Sequence, residues 1–86
     1  MEKRIGVIGI VVEDRKKVAR QINQTLSEFA AMIRGRMGIP FADREISTIS
    51  LIVEGTPDQV SSLTGKLGNL QGVTLKSALT SHIVTD

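Results

Sequence analysis

The chain has 86 residues, of which two are aromatic and none is cysteine, and its eleven basic and nine acidic residues give a formal net charge of +2. A chain of this length builds one hydrophobic core and buries only about 60% of the surface that the unfolded chain would expose. The absence of cysteine excludes a disulfide framework, zinc ribbons and cysteine nucleophiles, and two phenylalanines cannot form a stacking platform for single-stranded nucleic acid. We therefore expect one domain over residues 1–86, without a bound cofactor or metal. We also expect a cytoplasmic protein, because the apolar run 5–12 is too short for an export signal or a membrane helix.

The first half of the chain predicts a strand, a long helix and a second strand. Residues 5–12 are rich in β-branched side chains and apolar at both parities, which is typical of a central strand, β1. Asp14 offers a carboxylate as N-cap, and apolar residues then recur at spacings of three and four as far as Ile33. This pattern predicts helix α1 over residues 15–34, with Gly35 at its C-cap. Residues 36–41 predict a short strand β2, which must lie at a sheet edge because it contains Pro40.

The second half predicts a strand, a helix and a strand. Residues 46–54 alternate apolar and polar side chains, which indicates β3, paired with β2 in a hairpin. Thr56 as N-cap and Pro57 at the first helical position begin helix α2, and Gly68 ends it. Residues 73–77 alternate again and predict β4. The Ser/Thr-rich extension 79–86 is expected to be either a short extra strand or a frayed end.

The order βαββαβ, without a linker or an internal repeat, predicts an α+β fold of the ferredoxin-like type. Right-handed crossovers place both helices on one face of a four-stranded antiparallel sheet, with β1 and β3 in the centre. The other face then exposes one of two apolar sets of β1: Ile5, Val7 and Val11, or Ile8, Ile10 and Val12. Because a monomer seldom leaves such a stripe in water, and because a small core needs support, we expect the chain to form a homo-oligomer.

Several short motifs occur in order at the spacings of a known family. They are residues 10–15, 36–40, 49–56, 63–68 and 72–73. Over residues 4–76 the chain resembles the small family of iron-only hydrogenase system regulators. The resemblance implies an ACT-like fold, similar to the C-terminal regulatory domain of the nickel-responsive repressor. It also implies a transcription-related regulator that forms dimers or tetramers through its sheets.

The chain differs from that repressor in two respects. It has no ribbon-helix-helix segment ahead of β1, and it lacks the cysteine and the several histidines of the nickel site. We therefore expect neither nickel sensing nor specific DNA binding by the chain alone.

The loop between β1 and α1 is the candidate ligand site. The resemblance implies an effector near this loop, at a subunit interface where the backbone of a helix N-terminus receives a charged group. The loop contains Glu13, Asp14 and Arg15, of which Arg15 would pair an anionic group of the ligand and Asp14 a cationic one. The alternative is that Asp14 only caps α1, while Glu13 and Arg15 are solvated.

The sequence shows neither a metal site nor a catalytic centre. His82 is the only histidine, whereas a zinc site needs at least three protein ligands. A serine triad would have to run through His82 alone. Gly65 and Lys66 lie late in α2, so they do not form a phosphate-binding loop, which lies between a strand and a helix start. We therefore expect a protein that is not an enzyme.

Six of the basic residues lie within the first twenty positions: Lys3, Arg4, Arg15, Lys16, Lys17 and Arg20. A phosphate-facing patch and a solvated helical turn both explain this cluster, and nucleic-acid binding through it would weaken steeply with salt.

As a function we rank first a regulatory module that binds a small ligand or a partner protein at a subunit interface. A ligand-free assembly or adaptor protein ranks second, and nonspecific nucleic-acid binding third.

Overall fold

The computed structural model describes residues 2–85, apart from the side chain of Arg15. The elements are β1 (Lys3–Glu13), α1 (Arg15–Glu28), a 3-10 turn (Ala30–Met32), β2 (Ile33–Phe41), β3 (Ile46–Gly55), α2 (Pro57–Gly68) and β4 (Val73–Val84). The strands form one antiparallel sheet in the order β2-β3-β1-β4. This confirms the ferredoxin-like arrangement with β1 and β3 in the centre, and it confirms that the proline-containing β2 is an edge strand.

The hydrophobic core lies on one side of the sheet. β1 contributes every second residue, namely Ile8, Ile10 and Val12, each at most 2% exposed, because successive side chains of a strand point to opposite faces. The helices cover this side with Val18, Ile22 and Leu26 of α1 and Val60, Leu63 and Leu67 of α2. Among residues 2–85, no helix combines the length and the apolar content that a bilayer span requires.

Helix α2 begins as predicted. The Thr56 hydroxyl accepts a hydrogen bond from the Gln59 backbone N–H at 3.2 Å, and the Thr56 N–H donates to Gln59 Oε1 at 2.9 Å. This reciprocal pair is a capping box, and Pro57 follows it at the first helical position.

Helix α1 is shorter than predicted. It ends at Glu28, so the prediction of a helix to residue 34 with Gly35 as its C-cap is wrong. The apolar periodicity continues past the helix because Met32 and Ile33 still pack on the core, from the 3-10 turn and from the start of β2. Ile33 lies opposite Val53 on the core side, and Gly35 lies opposite Ile52 after a bulge. At the end of this apolar series the residues are therefore buried from a strand and not from a helix. Sequence periodicity alone does not distinguish the two cases.

Strand β4 is longer than predicted. It runs through Val84, so residues 79–84 continue the strand along β1, as far as the pair Lys3 and Val84. A bulge between Arg4 and Gly6 interrupts the ladder, and there the Thr80 hydroxyl donates to the Ile5 carbonyl. The polar composition of this segment does not indicate that β4 continues. The strand continues because its backbone pairs with the long neighbouring β1.

The side of the sheet away from the helices is called the bare face here. Its exposed apolar side chains are Ile5, Val7, Val11, Met37, Ile39, Phe41 and Ile52, each 38–61% exposed. The strand register puts them together, since Val7 lies opposite Ile52, and Thr48 lies opposite both Val11 and Ile39. Of the two apolar sets in β1, the one at even positions is therefore buried and the one at odd positions is exposed.

The neighbours Ile10 and Val11 test this division of β1. Ile10→Lys should unfold the domain, because it forces an ammonium group into the core in place of a side chain that is 2% exposed. Val11→Lys should keep the native circular dichroism spectrum, because Val11 is 40% exposed. A folded Ile10→Lys variant with an unchanged urea midpoint would contradict the assignment of the two faces.

Candidate functional site

Two turns hold the junction between β1 and α1 in place. The Glu13 N–H donates to the Gly72 carbonyl at 2.8 Å, and the Asp14 N–H donates to the Glu45 carbonyl at 3.0 Å. The first bond ties the junction to the α2–β4 turn, and the second ties it to the β2–β3 turn. Asp14 itself has left-handed backbone angles, φ 53° and ψ 55°, a conformation that Asp tolerates better than most residues.

Asp14 does not cap α1 with its side chain. It occupies the N-cap position, but its carboxylate accepts no capping hydrogen bond, and the Lys17 N–H donates instead to the Asp14 backbone carbonyl at 3.0 Å. The prediction of a capping carboxylate is therefore wrong. Its physical reason is the positive φ, since an N-cap that accepts through its side chain has extended backbone angles. The helix start makes no use of this carboxylate.

A cavity of about 560 Å³ lies beside this junction and is called the loop cavity here. Glu13 and Asp14 line it from the strand end, and Lys17 lines it from α1. Arg15 is the first residue of α1, and its side chain lies outside the described part of the chain. The cavity is therefore lined by two acidic residues and a lysine.

The opposite wall of the loop cavity comes from the α2–β4 connection, through Asn69 and Gln71, while Gln21 adds a further amide from α1. None of these three residues, nor Lys17, was predicted from the sequence as part of the site. Lys17 and Gln21 were open to prediction, because residues four apart share one face of a helix. Asn69 and Gln71 were not, because their turn reaches the loop through the pairing of β4 with β1 and the hydrogen bond from Glu13 to Gly72.

The basic residues at the start of the chain do not form one surface. Lys3 and Arg4 begin β1, whereas Lys16, Lys17 and Arg20 follow its end. Strand β1 has 11 residues, and at about 3.3 Å per residue its ends lie on the order of 30 Å apart. A continuous phosphate-facing patch over all of these side chains is therefore not formed.

His82 lies exposed in β4, where its backbone N–H donates to the Thr80 hydroxyl at 3.2 Å. Within residues 2–85, no three His, Asp or Glu side chains are grouped closely enough to hold a metal ion.

Comparison with solved structures defines the class of protein. The ACT domain from GTP pyrophosphokinase of Chlorobium tepidum matches with a TM-score of 0.74 and 29% identity, over 88% of this chain and 99% of that chain. The C-terminal domain of the MgtC protein from Mycobacterium tuberculosis shares the fold at a TM-score of 0.70 and 14% identity, over 96% of this chain and 94% of that chain. The protein is an ACT-like domain.

Its sequence gives the family. Residues 4–77 match the TM1266-like family, described as "Iron-only hydrogenase system regulator, putative", and the chain belongs to this family. The uncharacterized protein TM1266 from Thermotoga maritima is 38% identical, with a TM-score of 0.87 over 91% of this chain and 98% of that chain. No curated protein sequence matches the chain. The family resemblance and the ACT-like fold inferred from the motifs are thereby confirmed.

A substitution at Gly72 tests the packing of the junction, and a substitution at Gly65, inside α2, serves as the comparison. Gly72 has φ 82°, and a Cβ atom there would lie 2.9 Å from the Glu13 carbonyl oxygen, so Gly72→Ala should lower the free energy of unfolding by at least about 1 kcal/mol. Gly65→Ala should instead raise it by about 0.5–1 kcal/mol, because Gly65 lies inside α2 and a Cβ there meets no atom within 4 Å. Urea denaturation measures both values, and a Gly72→Ala variant as stable as the unmodified chain would contradict the described contact.

Proposed function

We propose that the protein is a single-domain regulatory module that binds a small effector, assembles with copies of itself and acts on a partner protein. The observation that carries the proposal is the bare face, an apolar sheet surface that a single chain leaves in water. The family description as a regulator and the likeness to an ACT domain support it. In this proposal the module works in the cytoplasm, without a cofactor, and is not an enzyme.

The bare face suits a second copy of this chain. The molecule measures 43 × 19 × 17 Å across its Cα atoms, so the face has an area on the order of the roughly 800 Å² that each partner buries in a standard interface. Apolar side chains dominate the face, but a polar row crosses it, in which Ser50 and Lys76 lie opposite Gly9. Its charged side chains include Lys76 on the edge strand β4 and the ion pair of Arg34 with Glu54 (3.4 Å) near one end. A mostly apolar surface with charges toward its edges fits the usual anatomy of a protein interface.

The effector of this proposal lies in the loop cavity. Glu13 and Asp14 offer carboxylates to a cationic group, and Lys17 offers an ammonium group to an anionic one. Arg15 is proposed as a second cation for the ligand. A site with both signs of charge suits a zwitterion such as a free amino acid, because each of its charged groups then finds a partner.

Strand β1 connects the two surfaces. Its last residue, Glu13, lines the loop cavity, while Val11, two residues earlier, lies on the bare face. A ligand that binds more tightly to one arrangement of this strand end would shift the assembly by the difference of its affinities for the two states.

Self-association is tested by two isoleucines of equal exposure. Ile52 is 42% exposed on the bare face, and Ile83 is 40% exposed on the other side, opposite Arg4. Ile52→Lys should turn the oligomer into a monomer, because it would bury an unpaired charge in the interface. Ile83→Lys should leave the oligomer intact.

Light scattering at micromolar concentration measures both masses. A monomeric unmodified chain would contradict self-association. Equal dissociation by both variants would contradict the choice of face.

The loop cavity is tested with free amino acids in thermal unfolding. A saturating ligand should raise the melting temperature, by roughly 4–8 °C for each kcal/mol of binding free energy. Asp14→Asn keeps a residue that tolerates the left-handed conformation but removes the charge, and should reduce the shift. Glu45→Gln is the matched control, because Glu45 meets the junction only through its backbone carbonyl. An equal shift in both variants, or no shift with any amino acid, would contradict this site.

A further inference from the structure

A second cavity lies across the first turns of α1 from the loop cavity, between the helix and strands β2 and β3. It measures about 430 Å³ and is called the groove cavity here. Its floor is apolar and consists of Val12, Ile22 and Ile49, of which Val12 and Ile22 are at most 3% exposed. A cavity of this size with an apolar floor is typical of sites for small organic molecules.

The groove cavity is open beside Gly38, where strand β2 provides no side chain to fill it. Gly38 lies opposite Ile49 on the helix side of the sheet, and it lines the cavity. A Cβ atom at Gly38 would meet only the Thr48 carbonyl oxygen, at 3.9 Å. The space is therefore a consequence of the residue type at one position.

The polar lining of the groove cavity is cationic. Lys16 and Arg36 line it together with Asn23 and Ser47, and no carboxylate is among the lining residues. Arg36 Nη2 donates to Asn23 Oδ1 at 3.2 Å, so the guanidinium spans from β2 to α1. This bond uses one of the five N–H groups of the guanidinium and leaves the others for a ligand. In the described part of the chain, the ion pairs join Glu54, Asp43 and Glu28 to Arg34, Arg44 and Lys66. None of them involves Lys16 or Arg36.

We propose that the groove cavity binds a small organic acid, with its carboxylate held by Lys16 and Arg36 and its apolar tail on the floor of Val12, Ile22 and Ile49. A planar guanidinium and a carboxylate match in geometry, and hydrogen bonds between charged groups are the stronger ones. The ligand is not an amino acid. Its ammonium group would find no carboxylate in the lining, and the side-chain carbonyl of Asn23 already accepts from Arg36. This site does not depend on whether the loop cavity binds a ligand.

Isocaproate and leucine test the charge preference, because they differ only in the α-ammonium group of leucine. Each is titrated into the isotope-labelled protein, and the backbone amide resonances are followed by nuclear magnetic resonance. Isocaproate should cause saturable shifts at Ala19, Asn23 and Gly38, and leucine should cause much smaller shifts there. Shifts that do not saturate, or an equal response to both compounds, would overturn the proposal.

Three variants and one control variant locate the site. Lys16→Gln and Arg36→Gln should each weaken isocaproate binding about tenfold, by loss of one charged hydrogen bond. Lys17→Gln removes the same charge from the next residue, which lines only the loop cavity, and should leave the affinity unchanged. Gly38→Leu should abolish binding by filling the space while the protein stays folded.

The variants also separate this proposal from the proposed function. Isocaproate binding that depends on Lys17 and not on Lys16 would overturn the groove site and leave the loop cavity as the effector site. A Gly38→Leu variant that binds isocaproate as well as the unmodified protein would overturn the groove site on its own.

Discussion

The two-sided apolar character of β1 is the constraint on which the rest of the structure depends. β1 pairs with β3 on one side and β4 on the other, so it is central to the sheet. Its even-numbered side chains form the middle of the core, with Ile8, Ile10 and Val12 almost fully buried. The connections of a βαββαβ chain, however, bring both helices to the same side. The chain therefore buries one apolar side of β1 internally and leaves the other side exposed in the single chain.

The end of β1 concentrates the polar features of the molecule. Its last residue is tied by backbone hydrogen bonds to one turn, and the residue after it is tied to another. Helix α1 begins directly after these ties, so its first turns are held above the sheet with space on both sides. Glu13 and Asp14 line one space, and no acidic residue of the described chain lines the other. Neighbouring lysines, Lys16 and Lys17, thus line cavities of different charge, and the ligands that we propose for the two cavities differ accordingly.

Most of the fold could be predicted from the sequence because local signals and the global topology agree. Pro40 indicates that β2 is an edge strand, and Thr56 with Pro57 indicates the start of α2. Each of these signals can be recognised within a few consecutive residues. The end of α1 could not be predicted, since Ile33 continues the apolar period from within a strand. The length of β4 could not be predicted either, because its second half pairs with residues 73 to 81 positions earlier in the chain, from the pair Leu79 and Gly6 to the pair Val84 and Lys3.

The candidate site was predicted in part, for a related reason. The loop residues Glu13 and Asp14 follow from the position of the β1–α1 connection alone. The unused carboxylate of Asp14 follows from its left-handed backbone, which the residue type permits but does not require. Asn69, Gln71 and the open space at Gly38 depend on distant segments that meet only in the folded chain, so no local pattern indicates them.

The most direct test of the account is the solvent accessibility of methyl groups in the assembled protein. A soluble paramagnetic probe should broaden the methyl resonances of Ile83 strongly, while those of Val7, Val11 and Ile52 should be protected nearly as well as those of Ile10. That result would show that the bare face is covered in solution. Broadening of Ile52 as strong as that of Ile83, whose exposure in the single chain is nearly equal, would contradict the claim that this face is where copies of the chain meet.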